Sequence, residues 1–97
     1  MATNQEVIKA FTRYETARAG NLSTHDGMLF SYGKPIASML GFIAHVGMFT
    51  AKHEAFVSAT TSHHVMATIR GAASEGYRVE KMNPNEAEYI FSVLCRK

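Results

Sequence analysis

The sequence predicts an α+β domain: a small, mainly antiparallel sheet with an N-terminal, a central and a C-terminal helix. Two observations carry that prediction. Apolar residues recur at helical spacing near both ends and after residue 60, whereas short apolar runs broken by turn residues fill the stretch between. The order is therefore helix, several strands, helix, strand, helix, which suits a sheet covered by helices. The 97 residues form one domain, 1–97, with no internal repeat, low-complexity tract or linker.

The first helix opens at Thr3, which has capping-box spacing to Glu6. Val7, Ile8, Phe11, Tyr14 and Ala17 follow a three-four rhythm, and Gly20 is the expected stop. Leu22-Ser23-Thr24 reads as a short strand. His25-Asp26-Gly27 is a turn, because Asp-Gly tolerates positive φ. Met28 to Tyr32 is the next strand and Gly33-Lys34-Pro35 a break. Ile36 to His45 is nearly continuous in apolar residues, so strand and short helix both fit. The preceding break and Gly41 favour strand. Gly47 marks a bend, and Ala55-Phe56-Val57 is a further short strand.

The central helix is expected from Thr61 or Ser62 to about Glu75, with Gly76 as its stop and Gly71 as an internal weak point. Val65, Met66, Ile69, Ala72 and Ala73 form its apolar stripe. His64 and Thr68 sit four apart on a flank, while His63 and Arg70 lie away from the stripe. Tyr77 to Met82 alternates like a strand over its first residues. Asn83 and Pro84 then open the last helix, with Ala87, Ile90, Phe91 and Leu94 on its apolar face.

Composition narrows the functional classes. Hydrophobic residues make up 46% and charged residues 19%, the balance of a folded soluble chain. The net charge of +2, without a basic block, argues against a dedicated nucleic-acid partner. The single Cys95 excludes an internal disulfide and fits a reducing, intracellular setting. Glu6, Lys9, Arg13, Glu15 and Arg18 interrupt any secretory signal. The longest low-charge stretch, Pro35 to Ala51, is broken by Gly41, His45 and Gly47, so no membrane span is expected.

The run Ser58-Ala59-Thr60-Thr61-Ser62-His63-His64 carries the most chemistry. It falls where a strand is expected to turn into a helix. A helix start presents free N–H groups and the positive end of the dipole, so it can hold an anion. Ser58, Thr60, Thr61, Ser62 and His64 would supply hydroxyl and imidazole donors to a phosphate, and Arg70 a more distant charge. Tyr32, with a polar tip beside a glycine turn, is the candidate aromatic for a base. The competing reading is a plain helix cap, a role that Ser and Thr fill without any ligand. His63 and His64 are adjacent and point about 100° apart on a helix, so metal-ligand spacing is lacking and no metal or cofactor is expected. No catalytic set is expected either, since nucleophile elbow, phosphate loop and paired carboxylates are missing.

Two segments have a familiar pattern. The first is residues 19–32 continuing through Gly33 to Ala37; the second is Ser58 to His64. Together they resemble a family of short bacteriophage and plasmid proteins in which DG-x-L-x-SY-x-x-x-IA precedes S-x-TTS-x-H at a helix start. His64 matches the motif histidine, whereas His63 stands where such sequences often have a basic residue. The resemblance implies a phage or mobile-element origin and a place in the host cytoplasm. By analogy with small phage proteins, the expected function is anti-defence: binding a phosphate-bearing ligand, with a cyclic nucleotide immune signal as the most concrete candidate. A homo-oligomer is expected, because so small a protein needs a second copy to enclose such a ligand. The alternative from another class is a surface-acting inhibitor of a host defence complex, similar in action to an anti-CRISPR protein, with no small ligand.

Overall fold

A computed structural model describes the backbone of residues 3–49 and 59–94, and the side chains of these except 59 and 60. The described elements run α1 (Asn4–Thr12), β1 (Ala17–Ala19), β2 (Leu22–His25), β3 (Met28–Ser31), β4 (Lys34–Leu40), β5 (Ile43–Gly47), α2 (Ala59–Ser74), β6 (Arg78–Met82) and α3 (Pro84–Leu94). The strands form one sheet in sequential order. Neighbours from β1 to β5 are antiparallel, and β6 joins β5 in parallel after the α2 crossover. This is the expected α+β architecture. The expected strand Ala55–Val57 lies outside the described residues.

Thr3 caps α1 as its spacing predicts. Its hydroxyl accepts from the Glu6 N–H and the Glu6 carboxylate accepts from the Thr3 N–H, both at 3.2 Å. The helix buries Val7, Ile8 and Phe11 but stops at Thr12, well short of Gly20. The N–H of Glu15 returns to the Ala10 carbonyl at 2.9 Å and that of Tyr14 to Phe11 at 3.3 Å. These two bonds make a Schellman ending, with Tyr14 at φ +59° in the left-handed position that glycine usually fills. No glycine announces this stop. Ala17, which continues the helical rhythm in the sequence, instead opens β1.

Four two-residue turns then join five strands: Gly20-Asn21, Asp26-Gly27, Tyr32-Gly33 and Gly41-Phe42. The second and third have positive φ at both residues, the signature of a type I′ hairpin. The first and fourth have positive φ only at their leading glycine, as in type II′. Two boundaries therefore shift. Lys34 and Pro35 belong to β4, where Pro35 opposes Phe30 beside a register shift. The run Ile36 to His45 is a hairpin folded at Gly41-Phe42, not one strand.

Ile36 to Met39 are buried in succession, so both faces of β4 are covered. α1 and α2 pack on each other, α1 against β1 and β2 and α2 against β5 and β6, while α3 packs on β4 and β5. The core gathers Val7, Phe11, Leu22, Leu29, Ile36, Val46, Phe49, Val65 and Phe91. Gly71 sits where α2 crosses α1: a Cβ there would lie 2.6 Å from Ile8 Cγ2. Close approach of two helices thus accounts for the one glycine inside α2. Gly76 ends that helix as expected, at φ +87°. Asn83 caps α3, its Oδ1 accepting from the Asn85 N–H at 2.9 Å.

Candidate functional site

α2 starts at Ala59, so Thr61 and Ser62 stand within its first turn rather than before it. Its inward face is Thr61, His64, Val65, Thr68 and Ala72, whereas Met66 and Ala73 of the expected stripe are exposed. The helix is rotated toward its polar flank. Hydrogen bonding makes that rotation affordable, because a buried polar group with a partner loses little relative to water.

The partner is Ser31 at the end of β3. Its hydroxyl lies 2.8 Å from His64 Nδ1 and 3.1 Å from Thr61 Oγ1. One serine proton serves the set in either direction: Ser31 donates to Nδ1 and accepts from Thr61, or accepts from Nδ1–H and donates to Thr61. Thr68 donates to the His64 carbonyl at 2.6 Å, one turn back along the helix. Ser31 is 1% and His64 5% exposed, and Thr61 and Thr68 are fully buried. No described buried side-chain nitrogen or oxygen lacks a hydrogen-bond partner. Burial, and secondarily the neighbouring His63, holds the His64 imidazole below its ordinary pKa, so it is neutral at pH 7.

A serine hydroxyl at this distance from an imidazole has the spacing of a nucleophile and its base. Here both groups are enclosed, and the imidazole hydrogen-bonds to Ser31 rather than to a carboxylate. The arrangement latches α2 to β3. It also joins two segments far apart in the sequence, since Ser31 belongs to residues 19–37 and Thr61 and His64 to residues 58–64.

The remaining candidates separate. Ser62 is half-buried. Arg70 is exposed and lines a groove between α1 and α2. Ser58 and the Thr60 side chain lie outside the described residues, as do His53 and Cys95. Tyr32 follows Ser31 directly yet faces the opposite environment. It is 55% exposed, at φ +54°, and its N–H donates to the Asn21 carbonyl at 2.8 Å. That bond draws the Tyr32-Gly33 turn beside the Gly20-Asn21 turn. Between them is a hollow of about 420 Å³ lined by Arg18, Gly20, Asn21, Ser23, Tyr32 and Gly33. It contains a cation and an aromatic ring but no carboxylate, and Arg18 Nε reaches the Gly20 carbonyl at only 3.5 Å.

Ser31 and Arg18 are the two residues here that do not stand out in the sequence. The six-residue spacing of Gly20, Asp26 and Tyr32 was the available signal for Arg18. Four-residue strands with two-residue turns bring the first and third turns to one end of the meander. Ser31 had no comparable signal, because a serine in a strand reads as solvent-facing.

Among the described residues no group of three or more His, Cys, Asp or Glu side chains is placed to hold a metal ion. No described helix is long and apolar enough to cross a membrane. Compared with protein-family models, curated proteins and solved structures, the chain matches none.

Proposed function

We propose that this chain binds a phosphate-bearing, nucleotide-like small molecule at the hollow between its first and third turns. The observation that carries this reading is Tyr32, a half-exposed aromatic in a left-handed position, set beside Arg18 with no acid in the same hollow. A base stacked on Tyr32 would gain about 1–3 kcal/mol. The Arg18 guanidinium suits phosphate oxygens, which it can meet with two parallel N–H bonds. The Ser31–Thr61–His64 latch then acts from inside, fixing the strand end from which Tyr32 projects. Thr61 and His64 support the site in this reading and do not touch the ligand.

The family resemblance supplies the physiological class: a phage protein that withdraws a cyclic nucleotide immune signal in the host cytoplasm. One hollow presents one cation, so a ligand with several phosphates calls for a homo-oligomer with its sites facing one another. Calorimetry against mononucleotides and a panel of cyclic di- and trinucleotides tests the reading. Micromolar binding that disappears in Tyr32→Ala and Arg18→Glu, with the fold intact, is expected. A well-folded sample that binds none of the panel overturns it.

A second reading has its own support. Phe42 is 82% exposed at the opposite end of the sheet, flanked by exposed Leu40 and Tyr14. Exposed aromatics of this kind are characteristic anchors of protein interfaces. They fit a surface-acting inhibitor of a host defence complex. Phe42→Asp abolishes anti-defence activity under that reading and leaves it unchanged under the first.

A further inference from the structure

We infer that the groove between α1 and α2 is a second binding site, for a compact organic anion with an apolar body and one phosphate or carboxylate group. The groove is open on one side and has a volume of about 690 Å³, within the range of small-molecule sites. Its floor is apolar: Ile8 from α1, Ala67 and Gly71 from α2. The missing side chain at Gly71 is what lets Ile8 come so close.

Lys9, Arg70, Glu6 and Glu75 all line the groove. The Glu6 carboxylate keeps its charge but accepts from the Thr3 N–H at the N-terminal end of α1. That of Glu75 faces Arg13 at 3.6 Å. Lys9 and Arg70 have no ion pair with any described residue. Counting Arg13 with its Glu75 partner, the groove and its rim carry three cations against two carboxylates, and the charge of Glu6 sits at the positive, N-terminal end of α1. The surplus lies with Lys9 and Arg70 beside an apolar floor, an arrangement that suits an anion whose body is hydrophobic. Arg70 lies here and not in the Tyr32 hollow, so this site does not depend on the function proposed above.

Phenyl phosphate, benzoate and inorganic phosphate are the probes, followed by amide chemical shifts in a two-dimensional NMR titration. Phenyl phosphate or benzoate should move the amides of Lys9, Ala67, Arg70 and Gly71 saturably. Whichever of the two binds more tightly identifies the preferred anion, and inorganic phosphate, lacking the apolar body, should bind more weakly than phenyl phosphate. Arg70→Gln should weaken binding by about tenfold, and Arg70→Lys should restore most of it. Both variants alter an exposed side chain, and retained amide dispersion checks their fold. Shifts that do not saturate with any probe, or an affinity unchanged in both Arg70→Gln and Lys9→Gln, overturn the inference. Tyr32→Ala should leave the groove titration unaltered; if it abolishes it, the groove is not a separate site and the inference fails.

Discussion

Tyr14 and Tyr32 occupy the same kind of backbone position at opposite ends of the meander. Both are left-handed, at φ +59° and +54°, and they are 50% and 55% exposed. A side chain in that region costs about 1–2 kcal/mol relative to one with ordinary φ. Tyr14 offsets the cost. Its ring lies against Gly27, where a Cβ would come within 2.8 Å of it, and its hydroxyl donates to the Gly41 carbonyl at 3.1 Å. One tyrosine thereby ties the end of α1 to two hairpin turns. The Tyr32 hydroxyl, by contrast, makes no hydrogen bond to any described residue, and the turn is tied only through its backbone, by the N–H bond to the Asn21 carbonyl. The Asp26-Gly27 turn shows what type I′ geometry prefers at that place, and it is not tyrosine. Strain with a structural partner explains itself. For Tyr32 the ligand contact proposed above would supply the reason.

The contrast can be broken most severely from below. His64→Ala removes the imidazole that latches α2 to Ser31 and leaves a buried cavity. It should cost about 2–4 kcal/mol and lower Tm by at least 8 °C, measured by thermal denaturation. The same latch gives a pH test. The folded-state pKa of His64 lies below its unfolded value of 6.5. The unfolded chain therefore binds the extra proton first as pH falls. The contribution of His64 to stability is complete above about pH 6.5, declines as pH drops below it, and levels off once the folded form is protonated too. Urea unfolding between pH 7.5 and 5 should show this decline, and His64→Gln should flatten it.

Tyr14→Asn is the next largest. Asparagine accepts the left-handed backbone but gives up the ring packing and the bond to Gly41, so a loss of about 1–2 kcal/mol is expected in chemical denaturation. Tyr32→Asn should do the reverse: a gain of about 0.5–1 kcal/mol, because the type I′ turn is relieved and no side-chain hydrogen bond is given up. Nucleotide binding should vanish in the same variant. If Tyr32→Asn destabilises the protein as much as Tyr14→Asn does, the two tyrosines are equivalent and the reading of Tyr32 as a ligand contact fails. The smallest effect belongs to a control on the far side of the sheet. Lys34 pairs with Glu88 at 2.9 Å in a partly exposed bridge, and Glu88→Ala should change stability by less than about 1 kcal/mol.

Local chemistry was legible wherever a residue acts through its own neighbours in the chain. The Thr3–Glu6 box, the Asp26-Gly27 turn, the Gly76 stop and the Asn83-Pro84 start are short-range devices, and each appears where its residues predict it. So does the α+β order, because helical and strand periodicities differ along the chain. The helical rhythm runs on past the true end of α1 for a reason of the same kind. Its ending uses Tyr14 where glycine is usual, and a tyrosine at three-four spacing reads as one more buried helical residue.

The candidate site divides along the same line. The sequence alone marked the Thr61–His64 run as exceptional and Tyr32 as the aromatic to watch. It had no means of showing that Thr61 and His64 turn inward, since a polar stripe at helical spacing ordinarily faces water. Only the tertiary structure brings Ser31 across thirty residues or more to satisfy them. Only the register of four two-residue turns sets Tyr32 beside Arg18, and only the crossing at Gly71 puts Arg70 over Ile8. Caps and turns are decided by bonds within a few residues. Which hydroxyl is buried, and which cation stands free, depends on partners that the chain order does not make neighbours.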